Sequence, residues 1–180
     1  NPGGSDAPTV RVTQRSGAFL ARTSVVQKTV KFTEGVTIGK ATVHVVELSD
    51  ETSMVWAIDS TTGVLLLTPI SISGKRPRVV AIGTTALVFT YSTAAGGSLL
   101  CLKATDSTLT ALAGGPTTII SGDVAGPFDV EAVGTQAIFA YISTTANTLK
   151  FGYCSTTPAL VGSTTTQATG AAPSAVCVTT

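Results

Sequence analysis

Segments in which apolar and polar residues alternate recur along most of the chain. The alternation is clear at residues 9–13, 26–32 and 41–48, and a further apolar segment covers 54–58. A period of two residues is typical of a β-strand with one buried face. No stretch longer than about ten residues has the 3.6-residue apolar period of a helix between capping residues. The pattern predicts an all-β chain.

One segment of the chain returns in altered form 51 positions later. Residues 79–93 and 130–144 coincide at seven pairs: Val79/Val130, Ala81/Ala132, Gly83/Gly134, Thr84/Thr135, Ala86/Ala137, Ser92/Ser143 and Thr93/Thr144. Self-similarity at about this period is typical of repeat architectures. The Gly-Thr pair inside each copy predicts a turn between two strands.

The repeat predicts four antiparallel strands in each unit. In a first unit at about 77–120 the predicted strands are 79–82, 86–91, 99–103 and 109–112. In a second unit at about 127–168 they are 130–133, 137–142, 149–154 and 160–161, followed by a polar loop at 162–170. A partial unit precedes these, with a return strand at 64–67 after the Asp-to-Gly turn of 59–63, and residues 173–178 are predicted to open another unit.

The domain organisation follows from where the repeat is visible. Residues 1–50 do not match it and are assigned to a β linker or extension element, and residues 51–180 to the repeated units. The chain starts without Met and ends on a segment that resembles an opening strand. We therefore expect an incomplete fragment of a larger chain.

Four antiparallel strands in about 40 to 50 residues are the pattern of a β-propeller blade. The sequence resembles degenerate propeller blades of large bacteriophage tail proteins and of some secreted bacterial proteins. The residues that carry the resemblance are Trp56-Ala57-Ile58-Asp59-Ser60-Thr61-Thr62-Gly63, Pro69, and Gly74-Lys75-Arg76-Pro77-Arg78-Val79-Val80-Ala81-Ile82-Gly83. The resemblance covers about residues 54–180 and implies propeller-like blades. A closed propeller needs about four to eight blades, more than this stretch supplies.

Composition and charge exclude some classes of function. With 43% hydrophobic and 12% charged residues among 180, the chain is apolar enough to fold around a core. The balance of 11 basic and 10 acidic side chains, a net charge of +1, is not that of a dedicated nucleic-acid binder. No apolar run approaches the roughly 18 residues of a membrane span.

Few side chains are candidates for chemistry, and each has a structural alternative. His44 has no second ligand at metal-binding spacing. The carboxylates nearest predicted turns and strand starts are Asp59, Asp106, Asp123, Asp129 and Glu131. Asp129 and Glu131 share one strand face, where they are a general acid/base pair, a solvated face, or partners for a neighbouring arginine.

The remaining candidates are one basic cluster, one indole and three thiols. Lys75, Arg76 and Arg78 either contact phosphates or form a solvated loop. Trp56 is either core or a platform for stacking on a sugar. Cys101, Cys154 and Cys177 are odd in number and widely spaced, which favours buried free thiols, although two of them could pair if their strands are neighbours.

These observations favour a non-enzymatic structural component of a bacteriophage virion, a tail protein, whose partners are other virion proteins and copies of itself. The alternative is a secreted carbohydrate-binding or host-surface adhesion module in which Trp56, Tyr91 or Tyr141 stacks on a glycan. We expect no cofactor, no metal and no membrane span. An enzyme ranks third because nucleophile-elbow, phosphate-loop and dinucleotide motifs are absent.

Overall fold

The computed structural model describes residues 28–105, 116–146, 148–169, 171 and 173–179. The predicted strands at 9–13 and 109–112 lie outside the described residues, as does the start of 26–32. The strands are β1 (Val30–Ile38), β2 (Ala41–Leu48), β3 (Ser53–Asp59), β4 (Leu65–Ile72), β5 (Lys75–Ile82), β6 (Thr85–Ser92), β7 (Ser98–Thr105), β8 (Thr117–Ile120), β9 (Val124–Val133), β10 (Gln136–Ser143), β11 (Thr148–Ser155) and β12 (Leu160–Ala168). Within the described residues the only helical element is a 3-10 turn at Ala94–Gly96.

Each group of four consecutive strands forms its own antiparallel sheet. The orders are β1-β2-β3-β4, β5-β6-β7-β8 and β12-β11-β10-β9, and the described residues do not close into a ring. We call these sheets blades 1, 2 and 3. The prediction of an all-β chain made of four-stranded antiparallel units is confirmed.

The Gly83 and Gly134 segments occupy equivalent places in blades 2 and 3. Both glycines join the first strand of a blade to the second with φ of 59°, a left-handed conformation that glycine adopts without a steric penalty. Gly39, with φ of 54°, makes the same turn in blade 1. Lys40 follows Gly39 where threonine follows the other two glycines, so the first copy of the repeat is hard to recognise in the sequence.

The structure differs from the sequence analysis in the extent of the first blade. The blades were expected to begin at residue 51, but β1 and β2 pair in one sheet with β3 and β4. The described part of residues 1–50 is therefore half of blade 1 and not a separate element. The physical reason is the turn at Gly39, which reverses the chain so that β2 pairs with β1 in the same sheet as β3 and β4.

Two predictions near the end of the chain were wrong. Residues 162–168 are strand and not loop, since β12 pairs with β11 as far as Ala168. The threonines of this exposed edge strand favour the pleated conformation without an apolar signal. Residues 173–178 are not strand in the structure, because they pair with no strand among the described residues.

The blades pack face to face, so that blade 2 is covered on both sides. Alternation along β6 directs Val88 toward blade 1 and Leu87 and Phe89 toward blade 3, in two separate apolar cores. The core between blades 1 and 2 includes Ile38, Val43, Val45, Val55, Val79, Val88 and Leu102. The core between blades 2 and 3 includes Leu87, Phe89, Leu99, Cys101, Val130, Phe139, Tyr141 and Cys154. The first strands β1, β5 and β9 lie next to one another at the interfaces between blades.

Candidate functional site

A charged residue occupies the same position in the first strand of each blade. Glu34, Arg78 and Asp129 each lie five residues before the turn glycine of their blade. All three side chains contact the first strand of a neighbouring blade or the segment that follows blade 3. We call these three residues the first-strand row.

Glu34 connects blade 1 to blade 2 through the backbone. Its Oε2 accepts a hydrogen bond from the N–H of Val79 at 2.8 Å. Burial raises the pKa of Glu34 above its ordinary value, while the hydrogen bond from Val79 and the charge of Arg78 act in the opposite direction. The carboxylate therefore satisfies a β5 amide that faces away from β6.

Arg78 contacts both neighbouring blades. Its Nε lies 3.2 Å from Oδ1 of Asp129 in blade 3, and its guanidinium carbon lies 4.4 Å from the centre of the Phe32 ring in blade 1. The side chains of Arg78 and Asp129 are 28% and 19% exposed, so the ion pair is partly shielded from water. A guanidinium over an aromatic face adds a favourable cation–π contact.

Asp129 has two partners, Arg78 in blade 2 and the backbone of Val178 in the segment that follows blade 3. Its Oδ2 accepts a hydrogen bond from the N–H of Val178 at 2.9 Å, in the way that Glu34 accepts from Val79. Glu131 lies on the same strand face, and its Oε1 accepts from the N–H of Ala132 at 3.0 Å. Among the interpretations of this acidic pair, the structure shows the arginine partner for Asp129.

The basic cluster of the sequence does not form a single patch. Arg78 turns into the interface between blades, whereas Lys75 bonds the carboxylate of Glu51. Arg76 is exposed, has φ of 53°, and holds its guanidinium beside Gly126. The three charges therefore point to three different environments.

A polar cleft of about 340 Å³ lies where the β2–β3 turn of blade 1 meets the ends of β5 and β6 in blade 2. Glu51, Ser53, Lys75 and Tyr91 line it. The hydrogen bond from Lys75 lowers the pKa of Glu51, and Lys31 lies 4.0 Å from the same carboxylate. The Ser53 Oγ is buried without a hydrogen-bond partner among the described residues. The cleft is thus lined by an ion pair, by Ser53 with its buried hydroxyl, and by Tyr91, whose ring packs against the core between blades 2 and 3.

Trp56 lies half-buried on the face of blade 1 that points away from blade 2. Its ring stacks on His44 with centroids 5.3 Å apart and an interplanar angle of 14°. Gly35 lies opposite His44 on β1, and a Cβ there would come within 2.9 Å of His44 Nδ1. Burial lowers the pKa of His44, which favours the neutral ring. No group of His, Cys, Asp or Glu able to hold a metal occurs in the part of the chain that the structure describes.

Asp123 is the centre of the most extensive side-chain network in the described chain. Its carboxylate accepts hydrogen bonds from Ser143 Oγ at 2.5 Å, Lys150 Nζ at 2.7 Å, Tyr141 Oη at 3.0 Å and Thr144 Oγ1 at 3.2 Å. Burial acts to raise its pKa, but the hydrogen bonds from Lys150, Ser143 and Tyr141 lower it to about 2. Burial and the bond to Asp123 raise the pKa of Tyr141. The Tyr141 ring, 1% exposed, belongs to the core and cannot stack on a ligand.

Two other predicted candidates take structural roles or are not described. Asp59 Oδ1 accepts from the N–H groups of Thr61 and Thr62 at 2.9 and 2.7 Å, which fixes the predicted turn. Asp106 lies outside the described residues. Glu34, Glu51 and Ser53 were not singled out from the sequence; alignment of Gly39 with Gly83 and Gly134 is the signal that identifies Glu34.

No family model and no curated protein sequence matches the chain. None of the helical structure in the described residues is long enough to span a bilayer.

Proposed function

We propose that the chain is part of a non-enzymatic structural protein of a bacteriophage virion, a tail protein, in which blades stack on one another and on copies of the same chain. The contacts that the polar side chains make support this proposal. The ion pair Arg78–Asp129, the Glu34 hydrogen bond and the Asp123 network all bind protein groups. They join strands and blades to one another.

The face of blade 1 that no other described blade covers carries the proposal. His44 lies five residues after its turn glycine, as Val88 and Phe139 do after theirs. Val88 and Phe139 are 0% exposed because the preceding blade covers them, whereas His44 and its neighbour Trp56 remain half-buried. This face of blade 1 is therefore equivalent to the faces of blades 2 and 3 that the preceding blade covers. A sheet from a second copy is the occupant with the matching chemistry, because head-to-tail contacts between unlike faces generate rings or filaments.

Sedimentation of the full chain tests this association. We expect oligomers whose size grows with protein concentration, and we expect Trp56→Lys and His44→Glu to sediment as monomers. Val64→Lys, at a residue 60% exposed in the β3–β4 turn, is the control and keeps the oligomers. Circular dichroism verifies that each variant folds. A wild-type chain that is monomeric at all concentrations contradicts the proposal. The virion location is tested separately, by searching for peptides of this chain in purified phage particles by mass spectrometry.

The cleft favours one alternative, a carbohydrate-binding or host-surface adhesion module. Tyr91 lines this cleft together with the Glu51–Lys75 pair, and a tyrosine beside charged groups is a combination that suits a sugar with apolar C–H and polar O–H groups. A glycan array is the direct test, with Tyr91→Ala expected to abolish any binding. Tyr153→Ala, at a ring 37% exposed on β11, is the matched control. Glycan binding by a monomeric wild type would favour this alternative over the virion role.

A further inference from the structure

Two cysteines face each other across the interface between blades 2 and 3. Cys101 on β7 is 1% exposed and Cys154 on β11 is 0% exposed, and both are free thiols in the same apolar core. The Cys101 thiol donates a hydrogen bond to the carbonyl oxygen of Leu102 at 3.7 Å, and the Cys154 thiol donates one to that of Ser155 at 3.5 Å. Each thiol also shifts the pKa of the other. The phenyl rings of Phe89 and Phe139, 6.5 Å apart between centroids, pack in the same core.

The strand register explains why the thiols meet. Cys101 lies opposite Phe89, whose side chain points to blade 3. Cys154 lies opposite Ala137, and the equivalent residue of blade 2 is Ala104, which lies opposite Ala86 and points back to blade 1. Cys154 therefore points back to blade 2. Cys101 thus lies on the face of blade 2 that packs against blade 3, and Cys154 lies on the face of blade 3 that packs against blade 2.

We propose that Cys101 and Cys154 form a disulfide bond that links blade 2 to blade 3 when the chain folds with a small disulfide oxidant such as oxidised glutathione. One cysteine thiolate attacks a sulfur of the oxidant, which breaks the S–S bond of the oxidant and releases one glutathione thiolate. The second cysteine thiolate attacks the mixed disulfide and releases the other glutathione. Two thiol protons pass to the two departing thiolates, so one protein disulfide forms as one glutathione disulfide is reduced.

The surroundings of the two sulfurs determine when this reaction occurs. Burial raises the pKa of Cys101, and the neighbouring Cys101 thiol lowers the pKa of Cys154. Neither sulfur is open to a reagent in the folded chain, since both side chains lie in the core. We therefore expect oxidation during folding, and little when the oxidant is added to protein already folded. Cys177 is exposed and reacts in both cases.

The bond would hold together two blades that are otherwise joined by apolar packing and the first-strand row. A cross-link that closes a loop of roughly 50 residues restricts the unfolded chain, and we expect the Tm to rise on the order of 10 °C. Reduction should return the Tm to its original value. The effect requires that the native positions of the two sulfurs suit a bond length of about 2 Å without strain.

Refolding of the full chain in a glutathione redox buffer, next to refolding with excess reductant, tests the proposal. After denaturation, labelling with N-ethylmaleimide and peptide mass spectrometry should find a Cys101–Cys154 cross-link and no label on either residue, with Cys177 carrying glutathione, together with the higher Tm. Cys101→Ala and Cys154→Ala should lose both the cross-link and the Tm difference, and Cys177→Ser should keep both. Circular dichroism verifies the fold of each variant.

Three results would overturn the proposal. They are labelling of Cys101 and Cys154 after oxidative refolding, a cross-link that involves Cys177 instead, and a Cys101–Cys154 bond that leaves the Tm unchanged or lowers it.

Discussion

The carboxylate of Glu34 accepts a hydrogen bond from the backbone N–H of Val79 at 2.8 Å, across the boundary between two sheets. The bond joins the first strand of blade 1 to the first strand of blade 2. Asp129 and Val178 repeat the same relationship at 2.9 Å after blade 3. A side-chain carboxylate thus supplies the acceptor that a neighbouring strand would supply within a sheet.

Glu34→Ala should lower the free energy of unfolding by about 1 to 3 kcal/mol, because the N–H of Val79 loses a charged acceptor in a partly buried place. Glu34→Gln should lower it less, since its amide oxygen still accepts a hydrogen bond. Urea unfolding at pH 7 measures both changes. Glu51→Ala is the control: Glu51 is exposed, and its loss should change stability less than Glu34→Ala does. Equal stability of wild type and Glu34→Ala would refute the role given to this bond.

Arg78 and Asp129 should be coupled in a double-mutant cycle. Arg78→Met removes the ion pair and the contact with Phe32 but keeps much of the aliphatic stem, and Asp129→Asn removes the negative charge. For a pair that is 28% and 19% exposed, we expect a coupling energy of about 1 kcal/mol, at the upper end for surface pairs. Denaturant unfolding of the two single variants and the double variant gives this value, and additive changes would contradict the contact between blades.

Asp123 should control stability at acid pH. Its pKa of about 2 lies below the ordinary value of 3.8, so the ionised carboxylate stabilises the folded chain above about pH 4 and this contribution is lost as pH falls through about 2. Asp123→Asn should lower the free energy of unfolding at pH 7 on the order of 2 kcal/mol and flatten its dependence on pH below about 4.

Asp50→Asn is the control for this prediction. The pKa of Asp50 is also about 2, through the hydrogen bond from Lys28, but the pair is exposed, so we expect a smaller change in stability. Thermal unfolding of wild type and both variants between pH 2 and pH 7 makes the comparison. A wild-type acid profile in Asp123→Asn would show that the network is not a source of acid sensitivity.

Gly97 should tolerate no side chain. Its φ is 92° and a Cβ would lie 1.9 Å from the carbonyl oxygen of Val124, in the backbone of blade 3. Gly97→Ala must therefore move one blade away from the other, and we expect a loss of at least about 3 kcal/mol or failure to fold. Gly63→Ala, with φ of 70° but nothing within 4 Å, should lose only about 1 to 2 kcal/mol. Equal urea midpoints for the two variants would contradict this close approach.

Local patterns in the sequence predicted much of the fold and less of the candidate site. The turns at Gly83 and Gly134 and the strands around them were predicted because alternation and turn chemistry are properties of neighbouring residues. Blade 1 was recognised only from β3 onward, since its first turn lacks the threonine of the other two. The exposed edge strand β12 lacked an apolar signal and was predicted as a loop.

Contacts between blades were beyond the reach of the sequence pattern. Glu34 and Val79 are 45 residues apart, and the contact depends on how two twisted sheets face each other. The same is true of Cys101 and Cys154, which were identified as candidates to pair only on the condition that their strands are neighbours. The cleft at Tyr91 arises from a turn of one blade and strand ends of another, so no single motif predicts it.

Blade 2 is the one sheet of the described chain that is packed on both faces, and this has a consequence for how the molecule opens. Separation of blade 1 or blade 3 exposes one apolar layer, whereas release of β6 exposes two. Amide protons of Leu87, Val88 and Phe89 should therefore be the last to exchange with solvent deuterium, at rates set by global unfolding, and those of the outer blades should exchange earlier through partial opening.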